Sequence, residues 1–236
     1  MQTKIMLLLS QNTDQRPGIL EPYLASEGQR IRGKLPKGGR HLRAFHLADD
    51  PTQQIAHASE MKKSPPAFDA IFEVAAADTT WDQLIQAVDG LGDRLGGVIH
   101  LAKSAVIAGT EHVIIPGEQP LMIFFALRRL DALSSEDFHD YWLHNHSQVA
   151  LDVPNLKGYK QFHADPAATA RAAEALGVGI NDFEGTAEGS YESLDDFLKV
   201  MSSPEVAQRA LEDEKKFIDH SRSSIGLYHV AWRTSV

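Results

Sequence analysis

The chain has 236 residues, of which 43% are hydrophobic and 23% charged, and its formal net charge is −9 at pH 7. These proportions are typical of a soluble globular protein with one large domain or two of ordinary size. The acidic balance and the lack of basic runs argue against a nucleic-acid partner, and the absence of cysteine excludes disulfides, thiolate nucleophiles and cysteine-ligated metals.

The N-terminal segment offers one short apolar run, Ile5 to Leu9, followed by polar residues. This run is shorter than the core of a signal peptide. No stretch of the sequence approaches the length of a transmembrane helix. We therefore expect a cytoplasmic protein with no membrane partner.

The first half of the chain predicts six elements in the order βαββαβ. Alternating or continuous apolar runs indicate the strands, and apolar residues at helical spacing indicate the helices. The predicted elements are strand Lys4–Leu9, helix Leu20–Arg32, strands Leu42–Leu47 and Phe68–Ala75, helix Thr80–Arg94 and strand Ala105–Ile114.

A turn-rich linker ending at Pro120 separates these elements from a second βαββαβ set. Between the second and third strands of this set lies an insertion, Ala164–Glu184, which contains an alanine-rich helix around Ala168–Leu176. The insertion could be a lid over a site or ordinary surface structure. The other predicted elements are strand Leu121–Leu127, a helix from Ser135 to about Leu151, strands Gly158–His163 and Gly185–Glu192, helix Leu194–His220 with a bend near Pro204, and strand Gly226–Arg233.

The two halves also share short sequence matches, which favour duplication over coincidence. The matching pairs are Tyr23-Leu24 with Tyr141-Trp142, Leu35-Pro36 with Val153-Pro154, and Phe45-His46 with Phe162-His163. We predict an α+β protein made of tandem ferredoxin-like (βαββαβ) repeats, residues 1–115 and 121–236. Their two sheets would cover each other as an intrachain dimeric α+β barrel, so that the chain is a pseudo-dimer. Further pairing into a homodimer stays open.

The helix after Ser134 carries the most informative pattern, FHDYWLHNHSQVA over residues 138–150. At 100° per residue, Trp142, Asn145 and Val149 fall on one arc with Phe138. Tyr141 lies on one flank of this arc and His146 on the other, while His144 points toward solvent. A histidine at the edge of an apolar stripe can exchange protons near neutral pH. The alternative is a packed histidine bonded to the backbone.

These residues resemble the EthD-like domain family of the dimeric α+β barrel superfamily. The resemblance covers most of Leu121–Arg233. It rests on the FHDYW segment leading to His146, the VPNLKGY segment over 153–159, Phe183-Glu184-Gly185 and Phe217-Ile218-Asp219.

The resemblance implies an enzyme fold that rarely needs a cofactor. Relatives act on aromatic, polyketide or lactone-type molecules by cyclisation, dehydration, isomerisation, decarboxylation or oxygenation, some bind haem, and the founding members accompany ether-degrading oxidation systems. Fold kinship alone does not identify the reaction. The N-terminal copy departs from the motif, because Gly28 stands at the position that matches His146. We therefore expect one site per chain, in the C-terminal half.

Two predicted strands add candidate site residues. Tyr159, Gln161 and His163 share one face of the first strand, and Glu188 lies with Thr186 and Ser190 on the second. Which face meets the barrel interior depends on the register of the sheet. His163 recurs as His46 in the other copy, which favours a structural role for it. The acidic and basic run over 212–216 is interpreted as a solvated helix face.

We therefore predict a cofactor-independent enzyme for a small aromatic, cyclic or polyketide-like molecule, working by elimination, decarboxylation or isomerisation. The catalytic candidates are His146, His163 and Tyr159, and the substrate-binding candidates are Trp142, Tyr141, Asn145, Gln161 and Glu188. No metal site is expected, since the histidines lack a metal-ligand pattern. Two alternatives remain: an oxygenase or haem-assisted oxidoreductase with one imidazole on iron, and a non-catalytic ligand-binding partner of an oxidation system.

Overall fold

A computed structural model of the protein describes residues 1–54 and 64–235. Among the described residues, the N-terminal half contains four strands and three α-helices, with a short 3-10 turn at Pro51–Gln54. In chain order these are β1 (Gln2–Leu9), α1 (Leu20–Arg32), β2 (Arg40–His46), β3 (Ala70–Ala76), α2 (Trp81–Val88), α3 (Leu91–Leu95) and β4 (Ala105–Ile115).

The C-terminal half has the same order of main elements, with an insertion after its second strand. One stretch, Trp142–His146, is π-helical and lies between α4 and α5. The elements are β5 (Leu121–Leu127), α4 (Ser135–Tyr141), α5 (Ser147–Leu151), β6 (Gly158–Ala164), α6 (Pro166–Leu176), β7 (Gly179–Ile180), β8 (Gly185–Tyr191), α7 (Leu194–Met201), α8 (Pro204–Glu214) and β9 (Ser224–Ser235).

Two predicted helices are each divided in the structure. The helix predicted at Thr80–Arg94 breaks at Gly90, whose φ of +67° is a left-handed conformation that glycine adopts at little cost. The helix predicted at Leu194–His220 becomes α7 and α8, since Pro204 cannot continue a helix but can start one. It ends at Glu214, six residues earlier than predicted.

Eight strands close into one antiparallel barrel in the order β1-β3-β2-β9-β5-β8-β6-β4, and the pairing of β4 with β1 completes the ring. Within each half the strands follow the same spatial order, fourth-first-third-second. The two halves meet along β2–β9 and β4–β6. The protein is thus an α+β fold with an eight-stranded antiparallel barrel.

The alternation of side chains along each strand separates the lumen of the barrel from its outer face. On β5, Met122, Phe124 and Ala126 belong to the apolar cluster inside the barrel. Ile123, Phe125 and Leu127 point the other way, toward the helices. The helices of both halves therefore cover the outside of the barrel.

One part of the lumen is filled by charged side chains. Lys4 is fully buried, and its Nζ lies 2.6 Å from Glu73 and 2.9 Å from Glu111; it also contacts Glu188. Arg40 bonds both Glu73 and Glu111. Burial opposes the charge on Lys4, but the three carboxylates outweigh it and hold the pKa of Lys4 above its usual value. These five residues form the lumenal ion cluster.

The insertion between β6 and β8 is neither a lid nor loose surface structure. Ala168, Ala172 and Leu176 of α6 are buried in the same apolar cluster as the helices of the N-terminal half. Thr169 Oγ1 accepts a hydrogen bond from the Ala108 amide at 3.0 Å and donates one to the carbonyl of the same residue at 3.1 Å. The insertion therefore completes the helical layer over β4.

Within residues 1–54 and 64–235, no helix is both long enough and apolar enough to cross a membrane.

Candidate active site between the helices and the sheet

A cavity of about 100 Å³ lies on the outer face of the C-terminal sheet, beneath the π-helix, α5, α7 and α8. Its walls are almost entirely aliphatic and aromatic, from β5, β6 and β8 below and the helices above. Every lining residue belongs to the C-terminal half, and none comes from the lumen. Its polar or titratable lining groups are those of Trp142, His146, Tyr159, Glu214 and Tyr191.

His146 enters this cavity from the last residue of the π-helix. Its side chain is nearly buried, and the ring packs against Phe217 with centroids 5.1 Å apart. Nδ1 lies 2.8 Å from Asp213 Oδ2 on α8. A carboxylate on Nδ1 fixes the imidazole so that Nδ1 carries a proton and Nε2 can accept one.

Asp213 has two further partners besides the imidazole. The Tyr141 hydroxyl and the Lys216 ammonium donate to Asp213 Oδ1 at 2.7 and 2.8 Å. The hydrogen bond from His146 and those from Lys216 and Tyr141 hold the pKa of the Asp213 carboxyl well below its usual range. Asp213 therefore stays ionised and orients His146.

Tyr159 also lines this cavity. Its oxygen accepts from Trp142 Nε1 at 3.3 Å and from Gln161 Nε2 at 3.5 Å. Burial raises the pKa of Tyr159 to about 12, so the hydroxyl keeps its proton at neutral pH. Since both neighbours are donors, the proton of Tyr159 remains available for a ligand acceptor.

His163 lies behind the cavity wall rather than in it. Its ring stacks on Trp142, with centroids 4.4 Å apart and planes 8° from parallel. Burial, followed by the electrostatic effect of His139 and His112, lowers the pKa of His163 to about 2. His163 is therefore neutral and supports Trp142.

The partners of Gln161 assign the protons of the histidines behind Trp142. Gln161 Nε2 donates to the Trp142 carbonyl at 2.9 Å, so its oxygen faces His163 Nε2 at 3.1 Å. The neutral His163 then accepts at Nδ1 from His139 Nδ1, 2.9 Å away. On its other side, His139 Nε2 lies 3.2 Å from Glu184.

Glu214, the last residue of α8, also lines the cavity. Its Oε2 lies 2.8 Å from His220 Nε2, and both side chains are nearly buried. The sequence interpretation of 212–216 as a solvated face is wrong for Asp213 and Glu214, since only Glu212, Lys215 and Lys216 are exposed. Because Glu212, Lys215 and Lys216 flank these two residues, the sequence shows no apolar pattern that would predict their burial.

Of the five predicted substrate-binding residues, Trp142 lines the cavity and the other four do not. Glu188 points into the lumen and contacts Lys4, because the face of β8 that lines the cavity carries Ala187, Gly189 and Tyr191. Asn145 is exposed on the helix surface. The other two act indirectly. Tyr141 donates to Asp213, and Gln161 donates to the carbonyl of Trp142.

The π-helix explains why His146 and Asn145 exchange their expected positions. A π-turn contains more residues than an α-turn, so each residue advances by less than 100° around the axis. Over residues 142–146 this lag carries Asn145 out of the apolar arc and brings His146 into it. An amphipathic projection at constant pitch cannot detect such a change.

The N-terminal half is packed differently where the motif is absent. A Cβ atom at Gly28 would lie 2.6 Å from His41 Nε2, so the His41 ring already occupies the space beside α1. His46, which matches His163 in the sequence, lies 2.7 Å from Asp50 through its Nε2. Its ring lies near Tyr228, whereas the ring of His163 stacks on Trp142. The two halves of the chain therefore differ at this place.

The surroundings of His146 and His163, the two candidate haem ligands, do not suit the binding of a porphyrin. Both ring nitrogens of His163 are engaged, by Gln161 and His139. His146 faces a cavity of about 100 Å³, whereas pockets for drug-sized ligands span about 300–1,000 Å³. Among the described residues, Glu73, Glu111 and Glu188 have the spacing of metal ligands, but the Lys4 ammonium already lies against all three.

Comparison with solved structures supports the fold. An anthrone oxidase-like protein matches with a TM-score of 0.59 at 8% identity, covering 99% of this chain and 92% of that one. A chlorite dismutase variant from Candidatus Nitrospira defluvii matches with a TM-score of 0.54 at 16% identity, covering 98% and 91%. At such identities the likeness shows a shared fold alone. No curated protein matches the sequence.

An EthD family protein from Bacillus halodurans C-125 covers 45% of this chain and 95% of its own length, at 15% identity and a TM-score of 0.34. The family model described as "EthD domain" matches residues 130–221. This range contains the π-helix, His146, Tyr159, Asp213 and Glu214. Residues 130–221, in the C-terminal half of the chain, thus match the EthD domain family.

Proposed function

We propose that the protein is a cofactor-independent enzyme that removes a proton from a small cyclic carbonyl compound, as the first step of an isomerisation or elimination. The observation that carries this proposal is the His146–Asp213 pair beside an apolar cavity that His146 and Tyr159 both line. Enzymatic activity is plausible for this fold, since similar structures are described as an oxidase-like protein and a chlorite dismutase.

The cavity suits a ligand of about one ring. An apolar cavity of about 150 Å³ is known to hold benzene, so about 100 Å³ favours a monocyclic or short-chain molecule. The walls offer apolar contact at almost every point. A substrate with one polar group, aimed at Tyr159 or His146, would leave few polar atoms unsatisfied.

The chemistry follows from the three groups. Nε2 of His146 accepts a proton from the carbon next to the carbonyl, while Asp213 stabilises the imidazolium that forms. The Tyr159 hydroxyl donates to the carbonyl oxygen as negative charge develops there. Such a donor in a site that excludes water stabilises an enolate more than water does. Asp213, Trp142 and Gln161 hold these groups in place.

Hydrogen exchange at carbon tests the proposal without knowledge of the natural substrate. The α-hydrogens of cyclohexanone are followed by NMR in deuterium oxide, with the wild type and with His146→Gln. Loss of the base is expected to slow exchange by about 10²–10⁴-fold. The matched control is His144→Gln, since His144 is exposed on the same helix and should leave exchange unchanged.

Two outcomes would oppose the proposal. Equal exchange by wild type and His146→Gln would remove His146 as the base. Binding of cyclohexanone without exchange by the wild type would favour a non-catalytic ligand-binding partner. An oxidoreductase on the same fold is the alternative reaction type, and it requires turnover of a ring phenol or ketone that consumes dioxygen and stops under nitrogen.

We further propose that residues 1–115 and 121–236 are tandem ferredoxin-like repeats that form an intrachain pseudo-dimer. The shared element order and the shared fourth-first-third-second strand order support this. In this proposal the N-terminal copy contributes half of the barrel and the C-terminal copy the reaction. We also propose a cytoplasmic location and a small-molecule substrate as the only partner that the reaction needs.

A further inference from the structure

We propose that Glu214 is a second proton-transfer group in this cavity, which returns a proton to a different carbon of the substrate from the one that His146 deprotonates. This inference rests on the proposed function and extends it. It makes the reaction a 1,3-proton shift in a cyclic β,γ-unsaturated ketone, rather than simple exchange at one carbon.

The position of Glu214 supports a role of its own. It is 7% exposed and lines the cavity, although it is adjacent in sequence to Asp213, which does not. Consecutive residues of a helix point about 100° apart, so the end of α8 directs one carboxylate to the back of His146 and the next into the cavity. The same turn of helix thus serves both groups.

The partner of Glu214 is suited to proton exchange. A buried carboxylate requires a partner, and here the partner is His220, 6% exposed, with its Nε2 2.8 Å away. Imidazole is the side chain whose charge changes most readily near neutral pH. A carboxyl group paired with imidazole can gain and lose a proton, whereas Asp213 is held ionised by Lys216, His146 and Tyr141 together.

Glu214 also acts electrostatically on the group that would hold the substrate oxygen. Its negative charge is among the causes that raise the pKa of Tyr159, after the larger effect of burial. Glu214 and Tyr159 both line the cavity. Both candidate groups therefore face the same bound ring.

The proton balance of the step is complete without any other reactant. In cyclohex-3-enone, His146 takes a proton from C2, between the carbonyl and the double bond, and the electrons spread into a dienolate. Glu214 then gives C4 the proton that it shares with His220 Nε2, 2.8 Å away. One C–H bond breaks and one forms, and the double bond moves into conjugation with the carbonyl. Solvent then gives a proton back to Glu214 and takes one from His146, which completes the cycle.

The experiment compares two rates for each variant of the full-length protein. Isomerisation of cyclohex-3-enone is followed by the ultraviolet absorbance of the conjugated product, and α-exchange of cyclohexanone by NMR. With Glu214→Gln, the ratio of isomerisation to exchange is expected to fall at least tenfold. The control, Glu212→Gln, changes an exposed neighbour on the same helix and should leave both rates as in the wild type.

The outcomes separate this inference from the proposed function. If His146→Gln loses both rates while Glu214→Gln isomerises like the wild type, Glu214 is not the proton donor. If the wild type neither exchanges nor isomerises, the proposed function fails, and Glu214 is then judged by binding alone.

Binding of cyclohexylamine provides that second measurement, because a cyclic ammonium ion would pair with a carboxylate inside the cavity. We expect Glu214→Gln to weaken its affinity, measured by calorimetry, at least tenfold, while Glu212→Gln leaves it unchanged. Equal affinity in wild type and Glu214→Gln would overturn the inference, since the carboxyl group would then not face the ligand.

Discussion

At the residue scale, the site contains two histidines whose surroundings assign them opposite tasks. His146 has a carboxylate on one nitrogen and a cavity on the other, so its environment supports gaining and losing a proton. His163 is half-buried beneath Trp142, beside His139, and its environment opposes a second proton. The local partners, rather than the residue type, decide which imidazole is suited to catalysis.

The low pKa of His163 predicts a specific sensitivity to acid. In the unfolded chain this histidine takes up a proton near pH 6.5, whereas in the folded protein it does so only at about pH 2. Between these values the unfolded state binds the extra proton, so stability falls as the pH falls. The penalty is at most about 1.4 kcal/mol for each pH unit below 6.5.

Urea unfolding of wild type and His163→Gln at pH 7, 6 and 5 measures this effect. The variant is expected to lose less stability than the wild type on acidification, because Gln cannot take up the proton. His144→Gln, at an exposed position, should follow the wild type. Parallel pH dependence of wild type and His163→Gln would show that His163 does not govern acid sensitivity.

At the element scale, the π-helix is linked to the sheet by Gln161. Its amide donates to the carbonyl of Trp142, the first π-helical residue, and its oxygen accepts from His163. Side chains that bond into a helix backbone are a recognised cause of irregular turns. The irregular turn that directs His146 into the cavity is thus held from β6.

Removal of this link predicts a measurable loss of stability. Gln161→Leu would leave the buried Trp142 carbonyl and the His163 ring without their partner, at a cost of about 1–3 kcal/mol in the free energy of unfolding. The control is Gln148→Leu on α5, where the amide is exposed and has one weak contact at 3.4 Å. Denaturant unfolding checks both, and equal stability of the two variants would contradict the role given to Gln161.

The elements of this protein differ in how far their sequence reveals them. Helix Leu20–Arg32 and strand Leu121–Leu127 occur at their predicted bounds, since periodicity and flanking turns define both. Asp213 was missed because its charged neighbours at 212, 215 and 216 are typical of a solvated surface. The sequence suggests Glu188 as a substrate-binding residue, but the side of the sheet on which it lies depends on the register of β8 with β5 and β6. Long-range pairing sets that register, and the sequence alone does not reveal it.

At the scale of the whole molecule, the lumenal ion cluster ties the two halves together. Lys4 comes from the first strand of the chain and Glu188 from the C-terminal half, and they meet beside Glu73 and Glu111. An ion pair buried this deeply adds little net stability, but removal of one member leaves the others uncompensated. The cluster therefore joins the first strand of the chain to β8 of the C-terminal half inside the barrel.

Lys4→Met is expected to lower the free energy of unfolding by about 3–5 kcal/mol, since it leaves the carboxylates of the cluster in excess inside the barrel. The double variant Lys4→Met with Glu188→Gln removes one of those charges and should recover part of the loss. Lys34→Met, at an exposed position, serves as the control. Additive effects of the two lumenal substitutions would contradict direct coupling.

The location of the cavity has a consequence for how such a protein can diversify. All of its walls come from residues 123–218, and the lumen behind them is already occupied by packed and charged side chains. Substitutions that change ligand preference and substitutions that change barrel closure therefore fall on opposite sides of the same strands. Evolution, or a protein engineer, can alter specificity at one set of alternating positions while the set between them preserves the scaffold.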